Sequence, residues 1–306
     1  MSLMKINNHA VSNSIYAVVI IAIIVIAAIV GYYAITMQNN QKDIVETAEE
    51  NGSFTTLITA LTSANLVDTL KGTGPFTVFA PTDAAFDALP TGLLNQLLAN
   101  TTELTQVLTY HVVSGKLSAS DVTHQSSVTS LEGGVLAITT SDGAMIGPAK
   151  ITQTDIECSN GVIHVIDKVL VPPGIMNIVQ TAQYYDFSTL VTALQTAGLT
   201  STLENAGPFT VFAPTNDAFD ALPAGKLNEL LADPGTLAQV LTYHVVSGRL
   251  LAADVVMQTS LTTVEGSTLT ISTTGGAKVN DANIVMTDVL CSNGVIHVID
   301  AVLVPP

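Results

Sequence analysis

Two pairs of histidines recur in register along the chain and are the residues best suited to chemistry. His111 recurs as His244, and His164 recurs as His297, each 133 residues later (244 − 111). In the second pair an aspartate follows three residues on, and a histidine with a carboxylate can serve acid–base catalysis or metal binding. Residues three apart on a strand point to opposite faces, however, so these side chains do not converge. We therefore predict that all four histidines are buried hydrogen-bonding groups that tie loops to a sheet.

The chain contains none of the short motifs that mark common catalytic or phosphate-binding sites. HExxH, GxSxG and a phosphate-cradling glycine loop are all absent from the sequence. No nucleophile stands at a spacing that indicates a neighbouring base. An enzyme is also expected to diverge one copy of a repeat into an active site, and the motif blocks here are nearly the same. We predict no catalytic residue, no cofactor and no bound metal.

Composition limits the class of partner. The 306 residues are 48% hydrophobic and only 11% charged, yet the formal net charge is −16. A basic nucleic-acid footprint is absent, so we predict no nucleic-acid partner. Cys158 and Cys291 occupy equivalent positions of two repeats, one in each, which favours buried thiols over a disulfide framework.

Longer blocks of sequence repeat at the same offset as the histidines. The run from Gly74 to Phe86 returns from Gly207 to Phe219, and the run from Cys158 to Asp167 returns from Cys291. A unit of this length is a domain, because solenoid repeats are about 20–50 residues long. We predict a tandem duplication, with one domain at residues 43–173 and the other at 174–306.

Each unit begins with helical patterns and ends with strand patterns. Phe54, Leu57 and Leu61 fall at near-helical spacing, whereas Phe76–Ala80 and Val162–Leu170 are rich in β-branched and aromatic residues. We also predict that a strand starts at Tyr110. Helices followed by strands in hairpins indicate an α+β domain and not a doubly wound sheet.

An uncharged apolar run from Ile15 to Met37 precedes the repeats. As a helix it is long enough to span a hydrocarbon core of about 30 Å. We predict a leader or cytoplasmic tail at 1–10, a transmembrane or filament-core helix at 11–37 and a polar spacer at 38–42. Lys5 before the run and acidic residues after it place both repeats outside the cell.

The residues before the apolar run, Asn8-His9-Ala10-Val11-Ser12, resemble the N-termini of archaeal type IV pilin-like proteins. The resemblance implies cleavage between Ala10 and Val11 and a helix that packs into a filament core. The sequence departs from the family at His9, where Lys or Arg is usual, and at Asn13, where Pro is common. An uncleaved signal anchor is the alternative interpretation.

The repeated blocks resemble the two signature boxes of fasciclin-like domains. They read Gly-Pro-Phe-Thr-Val-Phe-Ala-Pro-Thr and Ser-Asn-Gly-Val-Ile-His-Val-Ile-Asp, with a Tyr-His pair between them. The resemblance implies a β-sandwich or wedge flanked by helices, and adhesion without catalysis. In animal members the Tyr-His and Asp-Ile positions are linked to integrin binding. The matching positions, our candidate adhesion residues, are Tyr110, His111, Asp155, Ile156, Tyr243, His244, Asp288 and Val289.

We do not carry integrin binding over, because the pilin-like N-terminus points to a prokaryotic host. The leading hypothesis is a cell-surface adhesion protein, held in the membrane through residues 15–37, that binds surface or matrix proteins or glycans. The alternative is a pilin-like subunit that forms a homo-oligomer or filament sheathed by the two domains. Asn51 and Asn100 begin N-glycosylation sequons.

Overall fold

The computed structural model describes residues 23–32, 41–141 and 143–306. Residues 23–32 are helical (α1) and their side chains are largely exposed. The predicted leader, its cleavage point at Ala10 and Val11, and most of the predicted helix at 11–37 lie outside the described residues. Within the residues that are described, no helix is both long enough and apolar enough to cross a membrane.

The first repeat folds as a helical half followed by a strand-rich half. Its helices are α2 (Ile44–Asn51), α3 (Thr55–Ser63), α4 (Val67–Leu70), α5 (Asp83–Asp87), α6 (Leu93–Ala99), α7 (Thr101–Tyr110) and α8 (Ala119–Thr123). Its strands are β1 (Phe76–Pro81), β2 (Val112–Ser114), β3 (Ser127–Thr129), β4 (Val135–Thr139), β5 (Met145–Ile146), β6 (Ala149–Cys158) and β7 (Gly161–Ile166).

The second repeat has the same elements in the same order. Its helices are α9 (Ile178–Tyr184), α10 (Ser188–Thr196), α11 (Thr200–Asn205), α12 (Asn216–Asp220), α13 (Lys226–Ala232), α14 (Pro234–Tyr243) and α15 (Ala252–Val255). Its strands are β8 (Phe209–Pro214), β9 (Val245–Ser247), β10 (Ser260–Thr262), β11 (Thr268–Ser272), β12 (Lys278–Val279), β13 (Ala282–Cys291) and β14 (Gly294–Ile299).

Helix boundaries follow from local side-chain capping. Asp43 begins α2 with a capping box closed by Glu46, and the Thr82 side chain accepts from the N–H of Ala85 at the start of α5. The predicted strand start at Tyr110 is wrong, because Tyr110 is the last residue of α7. The N–H of His111 still bonds to Leu108 O at 3.2 Å, so the strand begins only at Val112.

Each repeat builds one mixed sheet, and within the described residues that sheet has seven strands. The order in the first repeat is β2-β1-β7-β6-β5-β4-β3, and the second repeat has the equivalent order. β1 and β7 run parallel, with Phe76 opposite Gly161, so the two repeated sequence blocks lie side by side. Gly161 is required there, since a Cβ at that position would collide with the carbonyl oxygen of Phe76.

The sheet is rolled, so that the chain after β3 reaches β2. Leu131 N donates to Val112 O at 2.7 Å, and the equivalent bond of the second repeat is also 2.7 Å long. One apolar core, which includes Phe79 and Ile166, fills the roll. A second core, which includes Phe54 and Ile163, lies between the sheet and the helices. The sandwich-like arrangement expected from the sequence therefore takes the form of a single rolled sheet.

The two repeats meet at a junction made largely by the second repeat. The Tyr184 hydroxyl donates to Val169 O at 2.7 Å, and Tyr184 and Met176 belong to the core of the first repeat. Lys168 Nζ donates to Tyr184 O at 3.2 Å, and Gly174 N donates to Leu290 O at 3.0 Å. These contacts hold the short linker against both repeats.

Candidate functional site

The Tyr-His pairs lie in the interior at the end of a helix. His111 is the C-cap of α7 and is only 2% exposed. Its Nδ1–H donates to Val107 O at 2.7 Å, and its Nε2 accepts from Leu170 N at 2.8 Å. Burial lowers the pKa of His111 from 6.5 to about 4, which keeps the ring neutral.

The second repeat reproduces this arrangement. His244 Nδ1–H donates to Val240 O at 2.8 Å, and its Nε2 accepts from Leu303 N at 2.9 Å. The pKa of His244 is also lowered to about 4 by burial. Both ring nitrogens of each histidine are therefore used by the backbone, and neither ring reaches the surface. Tyr110 and Tyr243 are buried beside them.

A second pair of histidines binds the loop that precedes a short helix. We call the contacts to residues 115–119 and 248–252 the loop clamp. In the first repeat, His164 Nε2–H donates to Leu117 O at 2.9 Å. Thr77 Oγ1 accepts from Leu117 N at 2.9 Å and donates to Gly115 O at 2.7 Å. The prediction that the four paired histidines are buried ties between loops and sheet is confirmed.

The candidate aspartates complete the loop clamp from the surface side. Asp155 N donates to His164 Nδ1 at 3.2 Å, and Asp155 Oδ1 accepts from Ala119 N at 2.9 Å. Asp155 has a φ of 57° at a register shift between β6 and β7, a left-handed conformation that is uncommon outside glycine. Its side chain is exposed, while the neighbouring Ile156 is half-buried against the helical core.

The second repeat again matches the first. Asp288 has a φ of 59°, donates from its N–H to His297 Nδ1 at 3.3 Å and accepts from Ala252 N at 2.8 Å. His297 Nε2–H donates to Leu250 O at 2.9 Å. Val289 packs partly against the helical core. The fold thus exposes one aspartate per repeat at a rigid bulge and buries the Tyr-His pair.

The predicted geometry of the histidines and their downstream aspartates also agrees with the structure. Asp167 Oδ1 accepts from Lys150 N at 2.7 Å, away from the His164 ring contacts. Asp300 accepts from Asn283 in the same way at 2.8 Å. In the part of the chain that is described, no group of three His, Cys, Asp or Glu side chains could hold a metal ion.

Asn160 precedes Gly161, and this pair by itself predicts only a tight turn, but Asn160 is a structural centre of the first repeat. Its Oδ1 accepts from Ile44 N at 3.0 Å, and its Nδ2 donates to Leu70 O at 2.7 Å and Gly72 O at 2.9 Å. One side chain therefore joins three segments of the first repeat. Asn293 does the same in the second repeat. The repeated Asn-Gly pair was the available signal.

The remaining candidate residues occupy unremarkable positions. Cys158 and Cys291 are buried free thiols, as predicted, and burial raises the pKa of Cys291 to about 11. Asn51 and Asn100 are exposed at helix ends, and the Asn100 side chain caps α7. Glycosylation at either position stays a prediction.

Comparison with known proteins places the same two units in a family. The sequence model of the Fasciclin domain matches residues 52–172 and 185–305. Transforming growth factor-beta-induced protein ig-h3 of Sus scrofa is 34% identical over 270 residues, which are 86% of this chain and 39% of that protein. The chain thus spans about two fifths of the length of this relative.

Two further matches are a bacterial cell surface protein and a solved structure of two domains. Cell surface glycolipoprotein MPB83 of Mycobacterium bovis is 39% identical over 142 residues, which are 44% of this chain and 62% of that protein. Among solved structures, a FAS1 domain pair from the insect cell adhesion molecule fasciclin I covers 84% of this chain and 98% of its own. Its sequence identity is 20% and its TM-score is 0.43.

Proposed function

Because the chain belongs to the Fasciclin domain family, we propose that it is a non-enzymatic adhesion protein that presents two fasciclin domains outside the cell. The proposal divides the described repeats into domains at residues 43–173 and 174–306. Its partners are surface or matrix proteins or glycans. A cell-surface location is supported by the relative MPB83, whose name describes a cell surface glycolipoprotein.

The observation that carries the proposal is the exposed aspartate bulge of each domain. Asp155 and Asp288 lie at the surface in a left-handed conformation, and each is fixed by a backbone donor and a buried histidine. A rigid exposed carboxylate loses little conformational entropy when it binds a partner. In this proposal the buried Tyr-His pairs are positioning residues, because His111 and His244 hold the segments behind the sheet and do not touch the partner.

The membrane anchor rests on the sequence between residues 15 and 37, most of which lies outside the described residues. The pilin-like alternative rests on residues 8–12, which also lie outside them. N-terminal sequencing of the protein from its native surface fraction separates the two. A chain that starts at Val11 and forms filaments favours the pilin-like subunit, whereas a chain that retains Met1 favours the anchor.

The adhesive function is tested with the full chain displayed on non-adherent cells. We expect these cells to bind matrix proteins, glycans or one another above the level of cells without the chain. Asp155→Asn together with Asp288→Asn keeps the hydrogen-bond acceptor and removes the charge, so binding should fall. Asp87→Asn with Asp220→Asn, an equivalent exposed pair on α5 and α12, is the matched control and should leave binding unchanged.

Two outcomes contradict the proposal. Cells that carry the chain and bind no better than bare cells argue against adhesion. Equal loss of binding in the control pair argues against the aspartate bulge as the contact site. A third variant, His111→Ala with His244→Ala, tests the positioning role: if binding is lost while both domains stay folded, the histidines are more than structural ties.

A further inference from the structure

The surface of the second domain carries large apolar side chains where the first domain carries polar ones. Positions 133 residues apart are equivalent, so each side chain has a matched position in the other domain. The apolar patch consists of Leu251, Val256, Met257, Val285, Met286 and Leu290, which are 38–82% exposed. The matched residues of the first domain are Ser118, Thr123, His124, Thr152, Gln153 and Glu157. The apolar patch is therefore not a requirement of the fold.

One hydrogen bond joins the two segments that carry the six side chains of the apolar patch. Ala252 N donates to Asp288 Oδ1 at 2.8 Å, which joins the start of α15 to the middle of β13. A helix rises about 1.5 Å per residue and a strand about 3.3 Å. Met257 at one extreme and Val285 at the other thus lie within about 10 Å of this bond along their segments. The patch consists of side chains from two adjoining segments, residues 251–257 and β13.

In the first domain, Lys116 and Glu157 form an ion pair on the face that matches the apolar patch. The second domain, which the structure describes throughout, has no equivalent ion pair. The matched residues are Arg249 and Leu290, and the Arg249 guanidinium donates to the carbonyl oxygens of Cys291 and Ser292 instead, at 2.8 and 3.3 Å. Charged side chains on exposed strands discourage association with other chains. The second domain has lost this protection at Leu290.

The two carboxylates inside the patch are both engaged by the backbone. Asp254 accepts from Leu251 N at 3.1 Å, and Asp288 accepts from Ala252 N. The chain as a whole carries a net charge of −16, so most of its faces repel another copy. The carboxylates of this face are thus already hydrogen-bonded, and the side chains around them are apolar.

The extent of the apolar patch suits contact with an equal surface. Six large side chains at these exposures present on the order of 500 Å² of apolar surface, the size of the largest apolar patch of a typical monomer, which is often functional. Two such patches would bury about 1,000 Å², near the lower limit for a specific interface. Outside α1, the large exposed apolar residues described in the first domain are only Leu98, Leu131 and Val135. The surface of equal size and character that can cover the apolar patch is therefore the same patch on a second copy of the chain.

We propose that two copies of this chain associate face to face through the apolar patches of their second domains, about a two-fold axis. An interface of this size belongs to the range in which weak, transient complexes are found. This association covers the aspartate bulge of the second domain and leaves that of the first domain free, so it does not require that the chain adhere to another partner. A chain that failed to adhere to cells would still form the pair.

Cysteine crosslinking of the full chain tests the proposal. Thr287 on β13 is exposed within the patch, and Thr154 is the same residue at the matched position of β6. The native cysteines are buried. With a short bismaleimide, which reaches further than a disulfide, we expect Thr287→Cys to give covalent dimers at least tenfold more efficiently than Thr154→Cys. Equal crosslinking of the two variants, or none, would overturn the proposal.

The side chains responsible are tested by giving the second domain the residues of the first. The substitutions are L251S, V256T, M257H, V285T, M286Q and L290E. Combined with Thr287→Cys, they should reduce crosslinking at least tenfold, and the first domain shows that the fold accepts these residues. Val135→Thr is the control, because Val135 is exposed and its matched residue is Thr268. Undiminished dimers, or Thr287→Cys products containing a different protein, would contradict the proposal.

Discussion

His111 and His244 make the same two hydrogen bonds in the two domains, at 2.7 and 2.8 Å in the first and at 2.8 and 2.9 Å in the second. Glu157 and Leu290, which are also equivalent, form an ion pair in one domain and an exposed apolar surface in the other. The buried ties cannot change without leaving backbone groups unsatisfied, whereas surface positions have no such constraint. Buried positions that are the same in both domains therefore maintain the fold, whereas surface positions that differ are free to serve contacts with partners.

The junction shows the same division. Tyr184 of the second domain enters the core of the first, while its matched residue in the first domain, Glu50, is exposed near the end of α2. Lys168 bonds to Tyr184 O, and its matched residue in the second domain is Ala301. Partner-facing residues differ between the copies even where the partner is the neighbouring domain.

The variant with the largest expected effect tests whether equivalent buried contacts stabilise the two domains equally. Asn160→Ala removes one acceptor and two donor contacts and leaves Ile44 N, Leu70 O and Gly72 O without this partner. We expect a loss of about 3–4 kcal/mol from the first domain. Asn293→Ala should cost the second domain a similar amount.

Hydrogen exchange with mass spectrometry measures each domain of the full chain separately. Asp68→Ala, an exposed substitution on α4, is the control and should leave exchange unchanged. A large loss from one Asn variant and almost none from the other would show that the domains are stabilised differently despite their matched contacts.

Acid should weaken both domains within one pH window. The folded pKa of His111 and His244 is about 4 against an ordinary value of 6.5, so the unfolded chain binds protons first as the pH falls. Stability is retained above pH 6.5 and is lost between pH 6.5 and 4, by about 3 kcal/mol for each histidine. Denaturation of the full chain between pH 7 and 4 measures this effect. A midpoint shift confined to one domain would contradict the equivalence of the two histidines.

The smallest expected effect lies at the surface, where the domains differ. Lys116→Ala removes an exposed ion pair with Glu157 and should cost less than about 0.5 kcal/mol, with the difference vanishing in high salt. Arg249→Ala removes hydrogen bonds to two backbone carbonyls and should cost about 1 kcal/mol with little salt dependence. Urea denaturation at low and high salt compares the variants. Equal salt dependence would mean that the two cations play the same role.

Much of the fold was predictable because the same sequence pattern occurs twice in the chain. The repeat, the two family boxes and the helix-then-strand order follow from patterns within single segments. The separation of His164 from Asp167 followed from strand geometry. Each of these predictions concerns neighbours along the chain.

Long-range pairing was not predictable in the same way. The parallel pair of β1 and β7 joins Phe76 to Gly161 across the whole domain, and no local pattern indicates a partner at that distance. Asn160 appeared as a turn residue because its three partners lie far away in sequence. Tyr110 was predicted in a strand because its neighbours are β-branched, although α7 continues through it on the strength of its buried Leu104 and Val107. The apolar patch became visible only when exposure was known.

The parallel strand pair of each sheet has a mechanical consequence. β7 lies between β1 and β6 and leads directly into the short linker to the second domain. Tension transmitted through the linker pulls β7 along its own axis. Its hydrogen bonds to both neighbours are then loaded in shear together and are not unzipped one after another. Forced unfolding is governed by the height of this barrier, so the first domain is built to bear load in the direction in which the second domain pulls.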